Sequence, residues 1–145
     1  MTASIKIVAY WSPFFAVYYT YLGLRTVRAR IKTRTSLYST PPSVSASSPQ
    51  QKGKYSELER CIRAHAHFGE NVPLALLMLA ICELNQASPA FLHGMCATLV
   101  ASRILHADFG LLSKENGLGF GRQIGYASTL LVIVGAAIKA AWLSL

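Results

Sequence analysis

The chain has 145 residues, 52% of them hydrophobic and only 14% charged, with a mean hydropathy of +0.36 and a formal charge of +8. So few charges would barely cover the apolar surface of a soluble domain, a demand that a bilayer removes. Nucleic acid is not the partner this charge implies, because no recognition-helix pattern or aromatic-interleaved basic sheet accompanies it.

The length is that of one domain, residues 1–145. A helix needs about 20 mainly apolar residues to cross the hydrocarbon core, and four windows qualify. The first covers residues 5–24, with Tyr10 and Trp11 toward one end and Tyr18, Tyr19 and Tyr21 toward the other, where aromatic belts sit. Pro13 is a tolerable kink in such a helix. Residues 25–56 follow. They hold seven of the fourteen basic residues (Arg25, Arg28, Arg30, Lys32, Arg34, Lys52 and Lys54) with no acid up to residue 54, then a Ser- and Pro-rich tract. This segment reads as a flexible, cytoplasmic, lipid-facing loop, which places both termini on the opposite side.

The second helix is expected over residues 57–84, with Ser56 and Glu59 at capping-box spacing. Ser88 as N-cap and Pro89 at the first helical position open a third helix, about 90–112. The KENGLGFG stretch is a loop whose glycines read as turn chemistry, and a fourth helix runs from 121 to 143. The expected architecture is therefore an all-α bundle of four transmembrane helices. Cys61, Cys82 and Cys96 show neither an even count nor metal-ligand spacing, so they read as packing residues and no metal site is expected.

Ionisable groups inside membrane helices are expensive and so mark function. Here they gather at one end. Arg63, His67 and Glu70 share a face of the second helix at spacings of four and three. Arg103 and His106 lie near the end of the third helix, and Arg122 and Tyr126 near the start of the fourth. The opposite halves hold little comparable beyond His93 and Lys139. Each residue alone has a plainer reading: snorkelling for an arginine, a neutralising Arg63–Glu70 pair, packing for His106, an interfacial place for Tyr126. Convergence from three helices favours a pocket for a small, multiply anionic ligand, with arginines forking onto carboxylates and Glu70 taking up an amine. Glutathione has that charge pattern. A b-type haem between His67 and His106 fits less well, because arginines and Glu70 are poor company for a haem face.

The stretch ERCIRAHAHFGENVPLALLMLA, residues 59–80, resembles the second-helix signature of the MAPEG family, the membrane-associated proteins in eicosanoid and glutathione metabolism. Glu59, Arg60, Arg63, Ala64, His65 and Glu70 occupy matching positions. SRILH (102–106) and GRQIGY (121–126) resemble the family's third-helix R-x-x-H and fourth-helix R-x-x-x-Y. The resemblance, closest to microsomal glutathione transferases, implies a homotrimer with glutathione as co-substrate between subunits and, if the cell is eukaryotic, a place in the endoplasmic reticulum. It implies glutathione contacts from Arg63, His67, Glu70, Arg103, His106, Arg122 and Tyr126, with Arg25 or Arg28 adding one from the first helix. Arg122 would be the catalytic group, stabilising a thiolate that attacks a lipophilic electrophile or lipid hydroperoxide. Two positions depart from the pattern. His67 stands where the family usually has Asn, and Gln123 stands where some members carry a hydroxyl near the sulfur. A non-enzymatic lipid-binding or scaffold member is the alternative reading.

Overall fold

The computed structural model describes residues 4–34, 56–114 and 117–145, so most of the expected loop, residues 35–55, lies outside the described residues. Four α-helices are formed by the described residues: α1 (Lys6–Thr33), α2 (Glu57–Leu84), α3 (Pro89–His106) and α4 (Gly121–Leu143). One π-helical turn, Ala107–Leu111, continues α3. Among the described residues there is no strand.

The expected caps form. Ser56 Oγ accepts from Glu59 N at 3.2 Å and the Glu59 carboxylate accepts from Ser56 N at 2.9 Å, which satisfies two amides that the start of α2 would otherwise leave open. Ser88 Oγ accepts from Phe91 N, with Pro89 at the first helical position. The three cysteines are buried and unpaired, as packing residues should be.

The first helix departs from expectation. It runs nine residues beyond Leu24, so Arg25 to Thr33 are helix and not loop. Arginine and lysine are good helix formers, and cations are favoured at a helix C-terminus. Arg30 and Lys32 lie in the last turn, and Arg34 closes it in the left-handed conformation (φ 51°). The extension is also paired: Lys32 Nζ lies 3.0 Å from Glu57 Oε2 at the start of α2. At the other end, the Glu83 carboxylate accepts from Ile7 N at 2.6 Å and Val8 N at 2.9 Å. Ile5 gives α1 no cap of its own, so α2 supplies one. Contacts at both ends fix α1 as an antiparallel partner of α2 along its whole length.

By length and composition, α2, α3 with its π turn, and α4 are each able to cross a membrane. α1 is not among them, since its four tyrosines and five basic residues lower its hydropathy. Its 28 residues still run about 42 Å at 1.5 Å per residue. The outward surface is apolar: Leu131, Val134, Ile138 and Trp142 of α4 are all more than half exposed. This is a multi-pass membrane protein, with side chains suited to lipid on its outside.

Lipid is as apolar as leucine, so helices in it associate through close backbone approach and hydrogen bonds. α3 and α4 use both. A methyl group on Gly125 would stand 2.5 Å from Ser102 O and 2.6 Å from His106 N, so only glycine permits this approach. One turn on, Ser102 Oγ and Thr129 Oγ1 are 2.9 Å apart in the buried seam. Replacing Gly125 with Leu should separate the two helices. The expected outcome is loss of a monodisperse peak in detergent and a thermal midpoint lowered by several degrees or more, whereas Ala127→Leu on the exposed face should behave as wild type.

Candidate functional site

The start of α2, the end of α3 and the start of α4 meet at one end of the bundle. Arg60 draws them together, donating to the carbonyls of Leu112 at 3.3 Å and Lys114 at 3.0 Å in the connection between α3 and α4. Gly117 takes φ 63° there, a conformation open to glycine, which agrees with the turn expected at Asn116-Gly117. Gly119 and Gly121 do more than turn: a methyl group on either would collide with the backbone around Leu105 and Phe109.

His106 sits at the centre. Only 4% of it is exposed, and its Nδ1 lies 2.9 Å from the carbonyl of Arg122 on α4. Its ring packs edge-on to His67 of α2, centroids 5.4 Å apart, and lies 6.0 Å from the ring of Tyr126. His67, His106, Arg122, Gln123 and Tyr126 line a cavity of about 210 Å³. A second, of about 80 Å³, is lined by Arg60, Arg63, His67, Leu111, Gly117 and Arg122. His67 and Arg122 belong to both, so Arg63, Arg122 and the two histidines surround one recess.

Two of the expected contacts are placed differently. Arg103 lies behind the wall of the recess: only 2% exposed, it donates to His67 O at 3.4 Å and Gly125 O at 3.3 Å, linking α2 to α4. Glu70 stands at the rim with its side chain 65% exposed, 3.5 Å from His67 Nδ1 and lining neither cavity. Of the two helix-1 arginines expected to add a contact, Arg25 is engaged by protein. Its Nη1 lies 3.0 Å from Asp108 Oδ1 and 3.0 Å from Tyr21 Oη, while Tyr18 Oη donates to Asp108 Oδ2 at 2.7 Å.

Asp108 and Glu83 are two residues that sequence reasoning passed over. Asp108 lies in the π turn, whose extra residue carries its carboxylate round to α1. A lone carboxylate two residues after His106 was the available signal. Glu83 escaped because an acid in the last turn of an apolar helix looks interfacial, whereas here it caps α1. The opposite end of the bundle therefore holds more than His93, which accepts from Trp11 Nε1 at 3.0 Å, and Lys139, which lies over the ring of Trp142.

These features define a class: a multi-pass α-helical membrane protein whose helix ends enclose a cationic, histidine-lined recess. The MAPEG family model matches residues 8–142, and the chain belongs to that family. It is also similar to the inner membrane protein YecN of Escherichia coli, in strain K12 and in an O6:H1 strain, at 33% identity over 54 residues. That match covers 37% of this chain and spans 41% of the length of each relative.

The Tyr18–Asp108–Arg25 cluster is testable. Asp108→Ala should cost about 1–3 kcal/mol, since it strands two donors that a charged acceptor served. Tyr18→Phe and Arg25→Gln share that acceptor and should couple by about 0.5 kcal/mol or more in a double-mutant cycle read by thermal unfolding in detergent. Strict additivity would show that the carboxylate is not shared.

Proposed function

We propose that the chain is a subunit of a membrane glutathione-dependent transferase or peroxidase. The observation that carries this reading is the meeting of Arg63 and Arg122 on one recess together with His67. Two guanidiniums suit the two carboxylates of glutathione, by forked hydrogen bonds stronger than neutral ones. Glu70 at the rim would receive the ligand's amine, and Tyr126 would donate a phenol hydroxyl within the larger cavity. Arg122 borders both cavities, and on this reading it would stabilise a thiolate. A free thiol has a pKa of about 8.5, and each unit of depression corresponds to about 1.4 kcal/mol of thiolate stabilisation. The thiolate would then attack an electrophile or hydroperoxide arriving from lipid.

Each cavity is smaller than the roughly 300 Å³ at which small-molecule pockets begin. That size supports a site completed by a neighbouring subunit, as in the homotrimer with the ligand between subunits that the family resemblance implies. On the same reading the connection between α1 and α2 faces the cytoplasm, and in a eukaryotic cell the membrane would be that of the endoplasmic reticulum.

A second reading has its own observation. Between α1 and α2 runs an apolar groove of about 390 Å³ lined by Phe15, Ala16, Tyr19, Phe68, Val72 and Leu76, among others. A groove of that lining suits a fatty-acid-like chain and supports a non-enzymatic lipid-binding or scaffold member, since fold does not fix function.

Glutathione titration by calorimetry, with turnover of a chlorodinitrobenzene-type electrophile and a lipid hydroperoxide, separates the two. Arg122→Ala should lower turnover by about tenfold to a hundredfold, the range for losing one hydrogen bond to a charged group. His67→Asn should preserve binding. Wild-type protein that takes up no glutathione would remove the first reading and leave the second.

A further inference from the structure

We propose that His106 is the proton acceptor of this site, its Nε2 taking the proton of a thiol held beside Arg122. The inference rests on the glutathione reading and assigns one chemical step within it.

The tautomer follows from the partner. A carbonyl oxygen only accepts, so the 2.9 Å contact with Arg122 O places the proton on Nδ1. In the neutral ring the lone pair then lies on Nε2. That atom is buried and has no hydrogen-bond partner among the described residues. Buried polar atoms are almost always paired, so an orphaned one calls for a use. His106 lines the cavity of about 210 Å³, which it shares with Arg122 and Tyr126, and on this proposal a small turn of its ring brings Nε2 to a donor entering that cavity.

The surroundings select what the donor is. His67 faces the ring from α2, Arg103 shares its helix, and Arg122 and Tyr126 face it from α4. Asp108, two residues on, is occupied by Tyr18 and Arg25 of α1. With arginines beside the ring, a group that becomes an anion on giving up its proton fits, and a thiol is such a group. In the step the S–H bond breaks, the proton passes to Nε2 and the electron pair stays on sulfur. An imidazolium and a thiolate result, with no net charge brought into the poorly hydrated recess. When the thiolate attacks a hydroperoxide, the O–O bond breaks, sulfur becomes sulfenic acid, and the departing alkoxide takes the proton back from Nε2. Arg122 stabilises the thiolate while His106 removes the proton, two tasks on adjacent helices joined by one hydrogen bond.

The test counts protons on the full chain in detergent. Glutathione is titrated in buffers of differing ionisation enthalpy, with thiolate followed by its ultraviolet absorbance and S-methylglutathione as the ligand without a thiol proton. In wild type, thiolate should form with no proton released to the buffer. His106→Asn places an amide N–H near the Arg122 carbonyl and deletes Nε2. In that variant thiolate should either fail to form or form with release of one proton, and turnover should fall about a hundredfold. Ala127→Leu, on the exposed face of α4, should keep the wild-type proton count. Release of a full proton by wild type overturns the assignment and leaves the glutathione reading intact. So does a wild-type count in His106→Asn, or a shift seen only in His67→Asn. Failure of both ligands to bind removes the glutathione reading itself. If His106→Asn does not fold, the wild-type proton count decides alone.

Discussion

Everything at the functional end of the molecule depends on how closely α4 can approach α3. Hydrocarbon gives two helices no reward for hiding leucine from it, so the approach must be secured by backbone proximity and by polar bonds inside the seam. Gly125 allows the first, and the Ser102–Thr129 pair supplies the second. Because the backbones are this near, the carbonyl of Arg122 comes within 2.9 Å of His106 Nδ1. The same proximity lets Arg103 reach Gly125 O from one side and His67 O from the other. A side chain at Gly125 would therefore displace the recess as well as the helix.

The scarcity of charge in the chain takes on meaning once the buried and half-buried charges are placed. Glu83 caps α1, Asp108 receives Tyr18 and Arg25, and Arg103 ties α2 to α4. These are structural duties in a medium that offers no water to satisfy a stray donor. The π turn belongs with them, because it lets a single helix end present His106 inward to α4 and Asp108 toward α1. A regular helix spaces residues two apart by roughly 200°, and one extra residue in the turn adjusts that angle.

Much of this was legible in the residues. Helix periodicity, the Ser56/Glu59 box and the Ser88-Pro89 start are local chemistry, and local chemistry reads directly from sequence. The gathering of Arg63, His67, His106, Arg122 and Tyr126 was legible as well, because antiparallel helices joined by short connections leave few ways to arrange their ends. The extension of α1 was not. Its basic run looks like loop until Glu57 and Asp108 are seen opposite it, and both lie across the bundle from it. The difference between Arg103 behind the wall and Arg122 in it was equally hidden. It depends on helix rotation of a few tens of degrees, which an i, i+3 spacing does not specify.

His67 is one of the two positions where this chain departs from the pattern it resembles, and its surroundings bear on what the departure does. Its carbonyl accepts from Asn71 and Arg103, while its ring pairs with Glu70 on one side and meets His106 edge-on. An asparagine there would offer an amide to the ligand and little to His106, since its side chain ends short of an imidazole. The histidine instead fills the space between rim and base with a second ring, packed edge-on against His106. On the glutathione reading, position 67 thus sets how the wall packs against His106, while the carboxylates stay with Arg63 and Arg122.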